Sequence, residues 1–382
     1  MTMNAPLRAG IIGTGFMGAV HAEAVRAAGH TVVGFAGSHP DKAQTMANKN
    51  GGVGFASVEA LIVSDEVDIV HVCTPNHLHR DHAMPALHAG KHVVCEKPLA
   101  TTSQDGEALV SEAARANREG FVPFVYRFYP SVQEMRHRIA QGDSGPIHLI
   151  HGSYLQDWLA SATASNWRVN SQTGGPSRTF GDIGVHWCDL LEHVTGHKIS
   201  RLFANTDTVF TERDGAEVAT EDAVHIIFET DHGATGSFLA SQVSLGRKNK
   251  IVLEVDGPLA AFSFDHTMPN QLWMGEMAKN TVIESGLETL TGHDALSLQT
   301  VPSGHPMGYA DSFRSFVNEA YTSIDQDTPS SIVPTFTDGL RAIHLTEAVM
   351  RSSKESRWVT IGDDNQEHGA TIHAALAGKD AS

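Results

Sequence analysis

The stretch LRAGIIGTGFMG, residues 7–18, decides the fold of the first part of the chain. Its apolar start, residues 7–12, predicts a buried β-strand, and a glycine-rich turn follows directly. Glycine permits a tight turn after a strand, a close approach of the backbone to a pyrophosphate and close packing of the next helix. The amide groups at the start of that helix would face the phosphates. We therefore expect dinucleotide binding at five residues of this turn: Gly13, Gly15, Phe16, Met17 and Gly18.

The alternation of strand and helix continues outward from this turn to about residue 125. Short apolar runs predict strands at residues 7–12, 31–36, 68–73, 91–96 and 121–125. Helical patterns, three of them followed by glycine, predict helices at residues 16–28, 41–48, 79–89 and 103–118. Pro85 falls inside the third of these helices, so we expect that helix to be kinked or to start late. The order is typical of an α/β fold with a doubly wound parallel sheet.

The pattern changes after residue 126, where strand-like stretches follow one another without helices between them. Strands are predicted at residues 146–156, 201–210, 223–229, 234–243, 250–255 and 260–264. Helices are predicted at residues 182–194, 309–324 and 337–353. We therefore expect a nucleotide-binding domain over residues 1–125 and an α/β domain with a large, mostly antiparallel open sheet over residues 126–361. Residues 362–382 have little apolar surface to bury and are expected to form a flexible tail.

Composition excludes several classes of partner. Asp and Glu number 44 against 27 Lys and Arg, a net charge of -17, and no stretch concentrates basic residues. Nucleic acid and anionic membrane surfaces are therefore poor partners. No apolar run approaches the ~20 residues of a membrane span. The first residues lack the pattern of a secretory signal, and the three cysteines are widely spaced, so we expect a reduced, cytoplasmic protein without disulfides.

The identity of the dinucleotide stays open at this point. Glycine is common here, with 35 of 382 residues, so a purely structural glycine turn is the alternative to a cofactor site. An Asp or Glu at the end of the second strand binds the ribose hydroxyls of NAD and repels the 2′-phosphate of NADP. That position holds Gly37, Ser38 and His39, with no acid and no arginine. NAD and NADP both remain candidates, and the missing acid favours NADP slightly.

Three further motifs resemble one enzyme family. They are Thr74-Pro75-Asn76, Glu96-Lys97-Pro98 and the stretch GDIGVH at residues 181–186. Their order and spacing resemble the glucose-fructose oxidoreductase, inositol dehydrogenase and rhizopine catabolism family (GFO/IDH/MocA) over about residues 7–361. The resemblance implies an NAD(P)-binding Rossmann domain and a second α/β domain. It also implies a homodimer or homotetramer formed through the open sheet.

The cofactor site is expected at the carboxyl ends of the parallel strands, where ligands of doubly wound sheets bind. The residues placed there are Thr74, Pro75, Asn76, His79, Glu96 and Lys97. The resemblance adds Tyr126-Arg127 and Trp167-Arg168, of which Arg127, Trp167 and Arg168 are expected near the nicotinamide. Core packing with a surface charge is the alternative for those positions.

Lys97, Asp182 and His186 are the candidate catalytic residues. Asp182 and His186 lie four residues apart and so on one face of the predicted helix. Oxidation of a secondary alcohol needs a base, and an imidazole accepts a proton near neutral pH. We expect His186 to be the base, Asp182 to orient it or the substrate, and Lys97 to stabilise charge and relay the proton. A solvated surface lysine is the alternative for Lys97.

Substrate contacts are expected from the end of a strand and from a later loop. The candidates, with the catalytic residues Lys97, Asp182 and His186, are Tyr154, Gln156, Asp157 and His305. Stretches 152–158 and 166–168 resemble family members that oxidise sugars, anhydrosugars or inositols. His305 resembles a substrate-contacting histidine in sugar-oxidising relatives.

A metal site is the alternative for two histidine-rich stretches. His186, Asp189 and His193 share helical spacing, and His77, His79, Asp81 and His82 form a second group. With 23 histidines in the chain, such groups arise by chance, and the resemblance implies a metal-free family. We therefore expect no metal.

The sequence thus predicts an NAD(P)-dependent dehydrogenase that oxidises a ring secondary hydroxyl of a sugar, anhydrosugar or inositol. A redox-neutral, NAD-dependent glycosidase of the same family is one alternative. A non-catalytic nucleotide sensor is another, although a sensor does not need the combination of Lys97, Asp182 and His186.

Overall fold

The computed structural model describes residues 6–325 and 330–362. Its first sheet has six strands in the order β3-β2-β1-β4-β5-β6, and every neighbouring pair is parallel. The strands are β1 Arg8–Ile12, β2 Thr31–Ala36, β3 Val53–Gly54, β4 Ile69–Val72, β5 His92–Cys95 and β6 Gly120–Phe121. The prediction of a doubly wound parallel sheet is confirmed. The short β3 was not predicted. The last predicted strand, residues 121–125, is shorter in the structure, since it ends at Phe121 and a 3-10 turn begins at Val125.

Five helices connect these strands: α1 Phe16–Ala27, α2 Pro40–Asn50, α3 Val58–Ile62, α4 His79–His88 and α5 Ser103–Ala116. Helix α4 follows a 3-10 turn at Asn76–Leu78 and runs through Pro85 to His88. The helix therefore starts at the predicted residue and not late, and a kink at Pro85 stays a prediction.

The second sheet has nine strands in the order β16-β15-β14-β13-β7-β12-β11-β8-β17. All neighbours pair antiparallel except β12 and β7, which are parallel. The strands of this half are β7 Leu149–Leu155, β8 Ile199–Asp207, β9 Glu212–Arg213, β10 Ala216–Glu217, β11 Ala223–Thr230, β12 Thr235–Ser241, β13 Lys250–Asp256, β14 Ala261–Asp265, β15 Gln271–Gly275, β16 Asn280–Glu284 and β17 Val359–Thr360. Strands β9 and β10 form a separate hairpin. The mostly antiparallel sheet is confirmed. Its strands β15, β16 and β17 were not predicted.

Helix α8 covers the inner face of this sheet. Its Trp187 stacks on Phe238 of β12 and donates a hydrogen bond from Nε1 to the carbonyl of Val252 at 2.8 Å. A π-helical turn at Phe180–Gly184 leads into α8 and carries Asp182. The helices of this half are α6 Pro130–Ala140, α7 Ser171–Gly174, α8 Val185–Thr195, α9 His293–Leu298, α10 Tyr309–Asp325 and α11 Phe336–Glu355.

Two late helices return to the first sheet. Phe313, Phe316 and Val317 of α10 belong to the same buried cluster as Ala22 and Val25 of α1. Helix α11 packs on α5 so closely that a Cβ at Gly106 would lie 2.9 Å from Ile343. The core of the first sheet is thus completed by the end of the chain.

No helix within residues 6–325 and 330–362 is both long and apolar enough to cross a membrane. Of the predicted tail, residues 363–382 lie outside the described residues.

Candidate active site

The glycine turn after β1 fits a dinucleotide. Gly13 has a φ of 128°, and a Cβ there would lie 2.5 Å from the carbonyl oxygen of Cys73. A Cβ at Gly18 would lie 2.2 Å from the carbonyl oxygen of Gly13, so helix α1 packs directly against the turn. Gly15 has nothing within 4 Å of the position of a Cβ, which leaves its backbone open to a ligand. Two glycines thus serve close packing and one serves backbone approach, as pyrophosphate binding requires.

A cleft of about 960 Å³ opens above this turn at the carboxyl ends of the parallel strands. Its walls include most of the predicted cofactor residues: Gly13, Gly15, Phe16, Met17, Gly37, Ser38, Thr74, Pro75, Asn76, His79, Glu96, Lys97, Trp167 and Arg168. Gly18 lies beneath the turn, and His39 immediately precedes α2 outside the cleft wall. His79 contacts the carbonyl oxygens of Pro98 and Thr74 at 2.7 Å and 2.9 Å, so it braces the two loops rather than projecting freely.

A smaller pocket of about 300 Å³ adjoins the cleft. Seven residues line both spaces: Phe16, Met17, Glu96, Lys97, Gln156, Arg168 and Asp182. The rest of the smaller pocket is lined by the aliphatic residues Pro123, Val125 and Ile183 and by aromatic and polar side chains that include Tyr126, Tyr154, His186, Asn249 and Tyr309. The shared residues mark the junction at which two bound molecules would meet.

Lys97 and Asp182 form an ion pair at this junction. The Lys97 ammonium donates to the Asp182 carboxylate at 2.6 Å and to the Asp182 carbonyl at 2.8 Å. Arg168 Nε lies 3.3 Å from the same carboxylate oxygen, and Gln242 donates to the other oxygen at 2.8 Å. Burial opposes ionisation of Asp182, but the charges of Lys97 and Arg168 outweigh it and hold the pKa of the carboxyl well below its usual value.

His186 lies deeper in the smaller pocket, with Phe124 and Tyr126 against its ring. Burial, and then the nearby Lys97 charge, lower its pKa to about 3, so the imidazole is neutral. Nδ1 is buried without a hydrogen-bond partner, which leaves Nε2 as the ring nitrogen that reaches the pocket. The expected orienting contact from Asp182 is not made, because Lys97, Arg168 and Gln242 engage the two carboxylate oxygens.

A closed ring of hydrogen bonds forms another wall of the smaller pocket. The hydroxyl groups of Tyr126 and Tyr154 lie 2.7 Å apart. The Tyr154 hydroxyl donates to the Asn249 side-chain oxygen at 2.6 Å, and the Asn249 amide donates to the Tyr126 hydroxyl at 2.9 Å. Gln156 donates to the same Asn249 oxygen at 2.8 Å. These partners hold each polar side chain in one orientation toward the pocket.

Two family models match the chain. The oxidoreductase family with an NAD-binding Rossmann fold matches residues 7–124, and the GFO/IDH/MocA C-terminal domain matches residues 132–262. The chain belongs to the GFO/IDH/MocA family. This GFO/IDH/MocA protein is therefore an oxidoreductase with an NAD-binding Rossmann domain, as the three sequence motifs predicted.

Similar proteins match this GFO/IDH/MocA chain over nearly its whole length. Levoglucosan dehydrogenase of Pseudarthrobacter phenanthrenivorans is 28% identical over 93% of this chain and 98% of that protein. Glucose-6-phosphate 3-dehydrogenase of Bacillus subtilis is 24% identical over 93% of this chain and 99% of that protein. A solved structure of levoglucosan dehydrogenase in complex with NADH and levoglucosan has a TM-score of 0.87 at 27% identity, over 94% of this chain and 100% of that chain.

Three residues predicted for the site of this GFO/IDH/MocA oxidoreductase lie elsewhere. Arg127 is buried in ion pairs with Asp189 of α8 and Asp338 of α11, and these two partners hold its guanidinium away from the cleft. Asp157 turns away from the cleft and accepts hydrogen bonds from the Lys248 ammonium at 2.7 Å and the Gly246 amide at 3.0 Å. His305 lies in a loop that lines a separate surface groove, beside residues 267–271.

The histidine-rich stretches do not assemble into a metal site. Asp189 is paired with Arg127, and His193 contacts Gln133 at 2.9 Å. Among the residues that the structure describes, no group of three or more His, Cys, Asp or Glu side chains is arranged to hold a metal ion.

A buried chain of hydrogen bonds runs behind the cleft. His21 contacts the Glu96 carboxylate at 3.0 Å through Nε2 and His71 at 2.7 Å through Nδ1. His71 in turn contacts the hydroxyl of Tyr321 in α10 at 2.7 Å. The chain links the strand end that carries Glu96 to a helix from the far end of the sequence.

Gln242, Asn249 and Tyr309 are site residues that sequence reasoning missed. Gln242 follows β12, Asn249 precedes β13 and Tyr309 begins α10. No local motif marks them. Asn249 and Tyr309 line the smaller pocket and Gln242 contacts Asp182, and these positions depend on strand register and on the return of α10.

Proposed function

We propose that this protein is a dehydrogenase that oxidises a ring secondary hydroxyl of an uncharged sugar, anhydrosugar or inositol, with NAD or NADP as the hydride acceptor. The observation that carries the proposal is the Lys97–Asp182 pair, at 2.6 Å, where a dinucleotide-sized cleft meets a smaller polar pocket. An ammonium group at that junction reaches a substrate oxygen while the neighbouring carbon faces the cofactor.

The roles of Lys97, Asp182 and His186 in the reaction follow from their charges. When bound, the nicotinamide supplies the acceptor for the hydride that leaves the substrate carbon. The Lys97 ammonium donates a hydrogen bond to the substrate oxygen, on which negative charge develops, and Asp182 holds that ammonium in place. Neutral His186 is the acceptor of the hydroxyl proton at Nε2. Its pKa of about 3 makes it a weak base, so the proton transfer depends on the Lys97 ammonium, which stabilises the negative charge that develops on the substrate oxygen.

The size and charge of the smaller pocket support an uncharged monosaccharide or inositol. Its volume of about 300 Å³ suits one ring. Among its described lining residues, the cations Lys97 and Arg168 both face the carboxylate of Asp182, and Glu96 adds a second negative charge. The two cations are thus balanced by two carboxylates, and the described lining carries no surplus positive charge for a phosphate group. We therefore expect glucose 6-phosphate to be a poorer substrate than glucose.

Incubation of the purified protein with levoglucosan, glucose, glucose 6-phosphate and inositols tests the proposal. Each would be combined with NAD and with NADP, and the absorbance of the reduced nicotinamide would be followed. We expect net reduction with at least one uncharged compound. Release of a glycoside aglycone without net reduction would instead indicate a redox-neutral glycosidase, and tight nucleotide binding without any turnover would indicate a sensor.

We also propose a homodimer or homotetramer that forms through the outer face of the nine-stranded sheet. Exposed apolar side chains on that face include Ile227 of β11, Trp273 of β15 and Val282 of β16. Trp273 and Val282 are register partners, so they form one continuous apolar patch. Analytical ultracentrifugation of the wild type and of Trp273→Glu tests this assembly, and an unchanged monomer in both would contradict it.

A further inference from the structure

Two adjacent carboxylates, Glu221 and Asp222, are buried immediately before β11. Glu221 is 2% exposed and Asp222 is fully buried. Neither lines the cleft or the smaller pocket. Buried carboxylates persist only where donors surround them, so the groups that surround these two show what they hold.

Glu221 binds the segment that leads into the turn of Asp182. One carboxylate oxygen accepts hydrogen bonds from the Ser177 hydroxyl at 2.7 Å and the Phe180 amide at 3.0 Å. The other accepts from the Arg178 amide at 3.1 Å. The Glu221 carbonyl accepts from the Thr179 hydroxyl at 2.7 Å. Four consecutive residues, 177–180, are therefore fastened to one residue.

Asp222 holds a second wall of the site through two buried guanidinium groups. Its carboxylate pairs with Arg178 and, at 2.7 Å, with Arg213. Arg213 also donates to the carbonyls of Ser161 at 2.7 Å and Ala164 at 3.1 Å. That loop leads directly to Trp167 and Arg168 of the cleft wall.

A third connection runs through Gln242. Its backbone amide donates to the Asp222 carbonyl at 3.0 Å, and its side chain donates to Asp182 at 2.8 Å. The pair 221–222 thus reaches the Asp182 carboxylate from both sides, through the turn at 177–180 and through Gln242.

We propose that Glu221 is a positioning residue, which keeps the Asp182 carboxylate in contact with the Lys97 ammonium. The proposal rests on the proposed function, in which Asp182 holds that ammonium at the substrate oxygen. Glu221 touches neither substrate nor cofactor and acts through the turn at 177–180.

Replacement of Glu221 by Gln changes one acceptor oxygen into an amide donor. Three donors converge on the two carboxylate oxygens, so an amide leaves at least one N–H or O–H facing another donor. The turn must then shift, and a displacement of about 1 Å in an active site lowers the rate by roughly 100-fold. As the contact with Lys97 loosens, the pKa of Asp182 rises toward its ordinary value, and an acidic limb moves into the measured pH range.

The matched control is Glu134→Gln. Glu134 is also fully buried and accepts from two backbone amides, those of Thr291 at 2.8 Å and Gly292 at 2.9 Å. It lines neither the cleft nor the smaller pocket. Its replacement makes the same substitution away from the site and also weakens the ion pair of Glu134 with Arg138 at 2.7 Å, so it tests the effect of losing a buried carboxylate on stability.

The experiment compares the wild type, Glu221→Gln, Glu134→Gln and Ser177→Ala in the full-length protein. We expect Glu221→Gln to lower kcat by tenfold or more and to raise the pH of the acidic limb, with the dinucleotide Kd within threefold of wild type. Ser177→Ala removes one of the three donors and should give a smaller change in the same direction, which keeps the test open if Glu221→Gln does not fold. Glu134→Gln should lower Tm and leave both kinetic readouts unchanged. Equal kinetic effects of the two glutamate variants, or none in Glu221→Gln and Ser177→Ala, would overturn the proposal.

A second readout separates this proposal from the proposed function. The ¹³C-carboxyl signal of Asp182, assigned with Asp182→Asn, reports its titration without any substrate. If no sugar is oxidised but the titration moves upward only in Glu221→Gln and Ser177→Ala, positioning holds and the proposed reaction fails. If sugars are oxidised and the titration does not move, the positioning proposal fails alone.

Discussion

Replacement of Lys97 by Met tests the junction between the two spaces most directly. Methionine keeps much of the length and volume of lysine, so the side chain still fills the strand end while its charge is lost. The Asp182 carboxylate then loses the 2.6 Å contact but keeps Arg168 at 3.3 Å and Gln242 at 2.8 Å. Because two of its partners remain, we expect the variant to fold.

The magnitude follows from the loss of one positioned donor to a developing negative charge. Such a loss lowers kcat by roughly 100- to 1,000-fold, or about 2.7–4 kcal/mol of transition-state stabilisation. The glycine turn is untouched, so the dinucleotide Kd should stay within about threefold of wild type. Lys97→Met should therefore separate chemistry from cofactor binding.

The assay combines steady-state reduction of nicotinamide with fluorescence titration of the reduced dinucleotide. Lys248→Met is the matched control, since Lys248 also pairs with an aspartate but is 83% exposed at its side chain and lines neither space. Retention of more than a third of wild-type kcat by Lys97→Met would refute the role of its ammonium. A similar loss in Lys248→Met would show that the effect is not specific to the junction.

Three other outcomes follow from the site and its surroundings. Since burial places the pKa of His186 at about 3, kcat/KM of the wild type should stay level from neutral pH down to about pH 5. His186→Asn should lower kcat over the whole of this range. An acidic limb near pH 6.5 that disappears in His186→Asn would contradict the low pKa. Gly37→Asp should weaken NADP binding strongly, because like charges would meet at the 2′-phosphate, and should leave NAD binding unaffected or improved. Gly37→Asn controls for the side chain itself, whose Cβ would lie 2.8 Å from Thr14. A wild-type preference for NAD beyond tenfold would contradict the expectation of NADP. Arg127→Met leaves the buried carboxylate of Asp189 and the partly exposed one of Asp338 without their cation. It should destabilise the fold by about 3–5 kcal/mol, seen as a lower Tm, without changing the dinucleotide Kd. A weakened Kd at unchanged Tm would return Arg127 to the cofactor site.

The first sheet and the cofactor cleft could be predicted because their signals are local. A buried parallel strand is a continuous apolar run, and the turn after it needs glycine at fixed spacing. Short strands such as β3 carry too few residues for a pattern. Strands β15 and β16 expose apolar residues, and the sequence of their hairpin resembles that of an ordinary loop. They were missed for that reason.

The errors at the site have one physical origin, which is that side-chain direction depends on partners far along the chain. Asp157 follows Gln156 by one residue, yet Lys248 draws it to the opposite side. Arg127 is adjacent to a pocket residue, but Asp189 and Asp338 bury it in another network. Gln242 and Glu221 carry no motif at all, and only the pairing of β12 and β11 brings them near Asp182.

The return of α10 and α11 has a consequence for the order in which the molecule is completed during synthesis. The last strand of the first sheet ends at Phe121, but the apolar surface of α1 is covered by residues of α10 that leave the ribosome about 200 residues later. At roughly 5–20 residues per second, that interval is about 10–40 s. The nascent N-terminal half therefore exposes an unfinished apolar flank until α10 has left the ribosome, and a fragment cut at residue 125 would keep that flank permanently. A soluble fragment of the cofactor domain would have to carry α10 with it, joined by a linker in place of the nine-stranded sheet.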